Sequence, residues 1–134
     1  VASFHPVIAS QPGGITDGFY TFAQFDTPTK GSCSQEICNW IDRYESLFGN
    51  TPNIGSAYGY MYMDVTARAL EIAGHDLTTD SFINALESIK DYKIPFGDSV
   101  LSWGPDKHLG ANDAFLFVVQ DGKFVQVNDV MYTY

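Results

Sequence analysis

The side chains that could carry out chemistry in this sequence are few and widely spaced. Its three histidines, His5, His75 and His108, lie in separate predicted loops, and none has a serine or cysteine motif beside it. No G-x-S-x-G sequence marks a nucleophilic serine, and the aspartates do not follow the spacing of a calcium-binding loop. These patterns favour exposed histidines and aspartates in caps and turns. We therefore predict no catalytic residue, no metal site and no cofactor.

The two cysteines, Cys33 and Cys38, are close together in the sequence. They lie where a loop is predicted to lead into a helix, a junction that can bring two sulfur atoms within bonding distance, whereas a regular helix cannot easily do so. In an oxidising compartment we expect a disulfide, and the alternative is two reduced thiols with one buried on the helix. A zinc site would need a second Cys or His pair with ligand spacing.

The best candidate for ligand binding is the segment that leads into the longest predicted helix. Gly55 belongs to a turn, Ser56 is placed to cap the helix, and Gly74 ends it. A helix N-terminus offers unpaired amides and a partial positive charge, both of which favour anionic groups. The predicted ligand-binding residues are Asn53, Gly55, Ser56 and Tyr58. The alternative is ordinary helix capping by Ser56.

Two further helices are predicted, one before and one after this one. The first begins at a capping box formed by Ser32 and Gln35 and ends at Gly49, and the second begins at Thr78 or Thr79. Apolar residues recur every three or four positions along both helices, which predicts buried stripes. The stripes are Ile37, Trp40, Ile41, Tyr44 and Phe48 in the first helix and Phe82, Ile83, Leu86 and Ile89 in the second.

Strands are predicted on both sides of the helices. Residues 18–26, GFYTFAQFD, carry bulky side chains on both faces, as in a strand that is buried on both sides. Near the end of the chain, Asp121 and Gly122 separate two β-rich runs, and their tolerance of positive φ favours a type I′ hairpin turn.

Composition excludes several classes of partner. With 134 residues, of which 45% are hydrophobic, the chain can form one domain with a core. A net charge of −9 with only seven Lys and Arg residues argues against nucleic acids and anionic membranes. No run of about 18 apolar residues predicts a membrane span.

The chain contains six motifs whose order matches that of a known protein family: GFYTFAQFD, FGNTP, AYGYMYMDVTARALEIAG, DLTTDSFINALESIKDY, VLSWGPDKHLG and FLFVVQDGKFV. Together, over residues 15 to 127, they resemble the C-terminal third of a type 1 periplasmic solute-binding protein. The nearest branch is the leucine/isoleucine/valine-binding family of ABC transporters. The resemblance implies two α/β lobes joined by three crossing strands, with a small ligand bound in the cleft and closure of the lobes on binding.

The resemblance also implies how the chain is divided. We expect a partial fold of three helices, crossing strands and a C-terminal β-hairpin, in which residues 1–17 and 114–134 belong to one lobe and 18–113 to the other. The hinge would then lie at Asp17, Gly18, Asp113 and Ala114. The N-terminal two thirds of the family fold, which supplies most of the groups that hold an amino acid, would be missing from this fragment.

The function implied is the extracytoplasmic solute-binding component of an ABC importer, periplasmic or extracellular and without enzymatic activity. Its ligand would be a branched-chain or other amino acid. Its partners would be a membrane permease and the remainder of the same polypeptide. The alternative is a sensory or regulatory ligand-binding domain of the same fold. Three features depart from the family: the cysteine pair, an aspartate displaced to Asp64, and the tail NDVMYTY.

Overall fold

Four helices and five strands are formed by residues 3–31 and 33–133, which the computed structural model describes. The helices are α1 (Pro6–Ala9), α2 (Gln35–Phe48), α3 (Ile54–Ala73) and α4 (Thr79–Ser88), and a 3-10 turn covers Pro12–Gly14. The strands are β1 (Tyr20–Ala23), β2 (Tyr92–Lys93), β3 (Val100–Leu101), β4 (Asp113–Gln120) and β5 (Lys123–Thr133). The three predicted helices are confirmed as α2, α3 and α4. None of the helices found in the described ranges is long and apolar enough to cross a bilayer.

The chain divides into two compact units. One contains the residues up to Asp26 together with those from Asn112 onward, and the other is Thr27–Ala111. The lobe boundaries predicted from the family resemblance lie after residues 17 and 113 instead. The difference at the first boundary arises because β1 pairs with β4, so the strand shares a sheet with the terminal hairpin. The assignment of the two units to lobes stays a prediction.

The first unit is built on an antiparallel sheet with the strand order β1-β4-β5. Asp121 and Gly122 join β4 to β5 with φ values of 50° and 74°, which confirms the predicted turn with two positive φ angles. The core of this unit centres on Phe4, whose ring centroid lies 4.6 Å from that of Phe117 and 4.4 Å from that of Phe124. Residues at the start of the chain therefore pack on the terminal hairpin.

Strand β1 is covered on one face only, so the prediction of a strand buried on both sides is wrong for the residues described. Thr21 and Ala23 are buried, whereas Tyr20 and Phe22 are exposed. The covered face meets the start of the chain, where the hydroxyls of Ser3 and Thr21 lie 2.7 Å apart. Bulky side chains on both faces of a strand do not by themselves supply a covering layer for each face.

A bulge interrupts the pairing of β4 with β5. Phe117 lies opposite Gln126, but Phe115 lies opposite Met131, so residues 127–130 stand against Leu116 alone. Within the bulge, the Val130 amide donates to Asn128 Oδ1 at 3.0 Å. Because the offset is an odd number of residues, the alternation of side chains along β5 does not continue through the bulge.

Helix α2 starts beside a disulfide. Cys33 and Cys38 are bonded, with their Cα atoms 5.5 Å apart, which confirms the predicted pair. The helix is capped by Ser34, whose Oγ accepts a hydrogen bond from the Ile37 amide at 3.4 Å. The predicted capping box at Ser32 and Gln35 begins at a residue that lies outside the described ranges. Gly49, with φ at 71°, ends the helix as predicted.

Helix α3 packs against α4, and residues of α3 also bind β2. The Tyr92 hydroxyl donates to Asp64 Oδ2 at 2.8 Å, and Arg68 Nε donates to the same oxygen at 3.0 Å. The Arg68 guanidinium lies 5.0 Å from the centre of the Tyr92 ring, within the range of a cation–π contact. Helix α4 is capped by Thr78, one of the two predicted caps.

The predicted apolar stripes are buried only in part. In α3, the covered residues include Met61 and Val65. Along α2, only Ile41 is fully buried, Trp40 is half-buried and Phe48 is largely exposed. The α4 stripe is similar, with Ile89 buried, Phe82 and Leu86 half-buried, and Ile83 exposed. Periodicity identifies a face that prefers to be covered, but the described elements cover only some of these faces.

Candidate ligand-binding site

The first turn of α3 closes on itself through a reciprocal capping box. The N-cap residue is Asn53, not Ser56 as predicted, and Ser56 occupies the third helical position. Asn53 Oδ1 accepts from the Ser56 amide at 3.1 Å, and Ser56 Oγ accepts from the Asn53 amide at 3.3 Å. Asn and Ser can both cap a helix. The reciprocal bonds make Asn53 the cap of α3, three residues before the cap that the Ser56 hydroxyl had suggested.

Three of the four predicted ligand-binding residues share this turn. Asn53 and Gly55 are exposed, and Ser56 is half-buried. Tyr58 is only 5% exposed and stacks on Tyr62 with 5.8 Å between ring centroids, so its ring is not offered to solvent. No described hydrogen bond uses the amides of the first two helical residues, 54 and 55, as is usual in a first helical turn. These amides are the groups that an anionic ligand could use.

A groove lies beside this turn, between α2, α3 and the loop at Pro95. Its volume is about 610 Å³, within the range of small-molecule sites. We call it the aromatic groove, because five aromatic rings line it: Trp40, Tyr44, Phe48, Tyr60 and Phe96. Met63 also lines it, and Ser56 belongs both to the groove and to the first turn of α3.

The rings of the aromatic groove pack around Trp40. Its centroid lies 4.9 Å from that of Phe96, 5.7 Å from that of Tyr44 and 5.8 Å from that of Tyr60. The contacts with Phe96 and Tyr60 are edge-to-face, an arrangement that aromatic pairs prefer. The floor of the groove is therefore an ordered apolar surface rather than a set of independent side chains.

Polar groups lie at the rim of the aromatic groove. The hydroxyls of Tyr44 and Ser56 are hydrogen-bonded to each other at 3.0 Å. Glu36, Asn39 and Arg43 of α2 contribute to the lining from the other side. The rings offer apolar contact, and Arg43 offers a cation to a carboxylate or an acidic side chain.

The shifted pKa values belong to groups that hold elements together. Hydrogen bonds to Asp42 and then Glu45 raise the pKa of Lys30, and the bond from Lys30 lowers the pKa of Glu45. Burial, followed by the hydrogen bond to Asp64, raises the pKa of Tyr92. None of these residues lines the aromatic groove. They tie a loop to α2 and a strand to α3.

Each histidine has its own local environment in the structure. His5 Nδ1 accepts a hydrogen bond from the Val7 amide at 3.2 Å and caps α1. His108 Nε2 lies 3.5 Å from Glu87 Oε1 and is largely exposed, and His75 is exposed near the end of α3. Within residues 3–31 and 33–133, no three His, Cys, Asp or Glu side chains are grouped so that they could hold a metal ion.

The predicted hinge residues all lie in the first unit. Asp17 and Gly18 form a turn before β1, and the Gly18 amide donates to the Val119 carbonyl at 2.9 Å. Asp113 and Ala114 begin β4, close to the division at Asn112. Asp113 Oδ1 is buried and has no hydrogen-bond partner in the part of the chain that the structure describes. Their role as a hinge stays a prediction.

The aromatic groove is a feature that the sequence pattern did not predict. Trp40, Tyr44 and Phe48 recur every four residues along α2, and this spacing was interpreted as a buried stripe. Tyr60 of α3 also lines the groove, whereas Tyr62 is exposed outside it. A usable signal was the excess of apolar residues around α3, since a helix that is apolar on more than one side needs more than one partner.

A family model described as periplasmic binding protein matches residues 2–123. Among solved structures, the chain is similar to a branched chain amino acid ABC transporter protein from Thermus thermophilus with bound valine. The TM-score is 0.76 at 16% identity, and the match covers 97% of this chain and 37% of that one. No curated protein sequence matches the chain.

Two structures from Rhodopseudomonas palustris are also similar. An extracellular ligand-binding receptor from strain HaA2 has a TM-score of 0.69 at 20% identity, covering 92% of this chain and 37% of that one. A solute binding protein of an ABC transporter from strain BisB5, in complex with 3,4-dihydroxy benzoic acid, has a TM-score of 0.65 at 19% identity, covering 96% and 34%. The chain thus spans little more than a third of the length of the structures it matches.

Proposed function

The chain belongs to the periplasmic binding protein family and forms part of its type 1 fold, and from this premise we propose that it serves solute import. It would be part of the extracytoplasmic solute-binding component of an ABC importer, with a membrane permease as its partner. The proposed ligand is an amino acid, with the branched-chain amino acids as the first candidates. The proposed activity is binding without catalysis.

The observation that carries this proposal is the family match over residues 2–123, which includes α1 to α4 and β1 to β4 and reaches the start of β5. Similar structures hold ligands of two kinds, valine in one and 3,4-dihydroxy benzoic acid in another. Both ligands are carboxylates, which supports an anionic group as the shared element of recognition. The aliphatic side chain of valine and the aromatic ring of the benzoic acid differ, so a binding test must include both amino acids and aromatic acids.

The proposed contact for the ligand carboxylate is the first turn of α3. The capping box uses the side chains of Asn53 and Ser56. The amides of residues 54 and 55, at the N-terminal end of the helix, take part in no described hydrogen bond. A helix N-terminus attracts anions through such amides and its partial positive charge. Lobe closure would turn about the predicted hinge at Asp17, Gly18, Asp113 and Ala114.

Calorimetric titration tests the proposal. The two-lobed protein of which this chain would be part should bind an amino acid with a Kd on the order of micromolar, about 8 kcal/mol. The 134-residue chain alone should bind much more weakly, because a buried ammonium or carboxylate without its full set of partners costs several kcal/mol. Absence of binding by the folded two-lobed protein across amino acids and aromatic acids would overturn the proposal.

A pair of charge substitutions tests the position of the carboxylate. Asn53→Asp keeps a residue that caps helices well but adds a negative charge beside the proposed carboxylate. Like charges about 4 Å apart repel by roughly 1 to 4 kcal/mol near a protein surface, so affinity should fall about tenfold or more. Asn50→Asp makes the same charge change in the exposed loop before the helix and should leave affinity unchanged. Equal effects of the two substitutions would show that the carboxylate binds elsewhere.

A further inference from the structure

The wall that α3 contributes to the aromatic groove has a gap at a glycine. Elements of this chain cover one side of α3, where Met61 is 2% exposed, and leave the groove side uncovered, where Met63 is 67% exposed. Gly59 lines the groove on this uncovered side, about one turn from both Ser56 and Met63. A Cβ added at Gly59 would meet no described atom within 4 Å. The gap is therefore open space that no described side chain fills.

Local backbone structure does not account for a glycine at this position. Gly59 lies inside α3, more than a turn from either end, and its φ is not positive. After proline, glycine is the least favourable residue in a helix interior. A helical glycine does allow another group to approach the backbone closely. Since no described residue makes that approach, Gly59 leaves room for a group from outside these residues.

The groove also carries a cation that nearby acids do not neutralise. Arg43 lines the groove, and the positions three and four residues from it on α2 hold no acid. Glu36 lines the groove two turns away, about 10 Å along the helix axis. Asp42 and Glu45 are bound by Lys30 at 2.8 and 2.7 Å and do not line the groove. Among the described ion pairs, none includes Arg43, so its guanidinium can bind a carboxylate.

The ring cluster determines the shape of the group that this surface can receive. The rings of Phe96, Tyr44 and Tyr60 lie 4.9, 5.7 and 5.8 Å from that of Trp40. A further ring inserted between two others would need about 7 Å, so an occupant must lie on the open side of the cluster. Tyr60 is 46% exposed there, and Phe48 is 64% exposed. A flat aromatic group can make offset or edge-to-face contacts with such rings, which an aliphatic group cannot.

We propose that the aromatic groove is a second ligand site, which binds an aromatic carboxylate with two fused rings. The rings fill the gap at Gly59 and pack on Trp40 and Tyr60, and the carboxylate pairs with Arg43. The groove volume of about 610 Å³ is more than a single ring occupies. The net charge of −9 opposes anions at long range, but physiological salt screens charges beyond about 8 Å. This site goes beyond the proposed function, whose ligand carboxylate lies at the amides of residues 54 and 55.

Calorimetric titration with 2-naphthoate tests the site. The residues that line the groove all belong to Thr27–Ala111, so the 134-residue chain should bind this probe by itself. Because the groove is open on one side, we expect a Kd on the order of 100 μM. Two matched probes should each bind about tenfold more weakly. They are 2-naphthamide, which keeps the rings without the charge, and cyclohexanecarboxylate, which keeps the charge without an aromatic ring.

Two substitutions test the gap and the cation separately. Gly59→Leu fills the gap with a residue that favours helices, so the chain should stay folded by circular dichroism and lose about tenfold or more in affinity. Ala67→Leu, at an exposed position of α3 outside the groove, should leave affinity unchanged. Arg43→Gln should weaken 2-naphthoate about tenfold and leave 2-naphthamide unchanged. Lys123→Gln makes the same charge change in the other unit and should affect neither probe.

The complete two-lobed protein separates this site from the ligand cleft. It should bind 2-naphthoate with the same affinity when a saturating amino acid is present. Displacement by the amino acid would assign the probe to the cleft, and binding by the short chain alone would show that other sequence covers the groove. Either result would overturn the inference, as would no binding by the folded chain or unchanged affinity in Gly59→Leu. Binding of 2-naphthoate by a two-lobed protein that binds no amino acid would support the groove site while removing the proposed transport function.

Discussion

The first turn of α3 and the aromatic groove beside it share Ser56 but differ in how far their side chains are satisfied by the described residues. In the turn, Asn53 and Ser56 satisfy each other through two reciprocal hydrogen bonds. In the groove, apolar side chains such as Phe48 and Met63 remain open to solvent. Polar groups can be satisfied within one helical turn, whereas a large apolar face needs a distant partner. The contrast separates polar groups that are satisfied locally from apolar groups that the described residues leave exposed.

The largest expected effect separates the two sides of α3. Met61→Ala should lower the free energy of unfolding of this chain by about 2 to 5 kcal/mol, because it leaves a cavity under a covered side chain. Met63→Ala, the matched control on the uncovered side, should change it by less than about 0.5 kcal/mol. Urea unfolding followed by circular dichroism measures both. Similar losses at the two positions would show that the groove side is already packed in the isolated chain.

The disulfide should have the next largest effect, on the α2 wall of the groove. Replacing Cys33 and Cys38 together by serine removes the cross-link that closes the loop at the start of the helix. For so short a loop, the chain-entropy estimate of the loss is about 2 kcal/mol. Urea unfolding with and without reductant should show that reduced wild type and the double variant are equally stable. Two freely alkylated cysteines in native, unreduced protein would contradict the bridge.

Removing the hydroxyl that joins β2 to α3 should cost less. Tyr92→Phe deletes a hydrogen bond to the Asp64 carboxylate, worth about 1.5 kcal/mol at neutral pH. Burial and this bond raise the pKa of Tyr92, so the stabilisation is complete below the ordinary tyrosine pKa of about 10 and is lost as the pH rises through the higher folded-state value.

Denaturation across pH measures this effect. The difference in unfolding free energy between wild type and Tyr92→Phe should be constant up to about pH 9 and should shrink above about pH 10. The control is Tyr62→Phe, which removes a hydroxyl from an exposed ring on α3, the helix that carries Asp64. This variant should show no such pH dependence. A constant difference up to strongly alkaline pH would mean that the hydroxyl of Tyr92 is not tied to folding.

The smallest effect concerns the capped turn itself. Asn53→Ala removes one half of the capping box and should cost about 1 kcal/mol of folding free energy. Asn50→Ala, in the exposed loop, should have little effect. Thermal unfolding of the two variants makes the comparison. Equal stabilities would mean that the turn is held by something other than its own side chains, and the contrast with the groove would lose its basis.

Features that depend on neighbouring residues were predictable from the sequence. Gly49 and Gly74 end helices, and Asp121 with Gly122 forms the hairpin turn, because each position requires or tolerates positive φ. The disulfide followed from spacing at a loop–helix junction. The predicted cap of α3 was Ser56, whereas the observed N-cap is Asn53, the other member of the same capping box. In a capping box both residues have the right chemistry, so composition does not decide which one begins the helix.

Features that depend on distant partners were not predictable in the same way. Periodicity marked Trp40 and Phe48 of α2 as apolar positions, but it carries no information about which element covers them. The same limit applies to β1, where Thr21 is covered by the start of the chain and Phe22 is not. The aromatic groove forms from α2, α3 and the loop at Pro95, and only tertiary packing brings these segments together.

The bulge in β5 has a consequence for self-association. Within the described sheet, β5 lies at an edge and is 11 residues long. A straight edge strand of that length exposes a row of amides and carbonyls to which another chain can add a strand. Residues 127–130 break this row, and Asn128 turns its side chain back onto the Val130 amide. The interruption leaves two short edges in place of one long one, and neither offers an intruding strand a continuous template for aggregation.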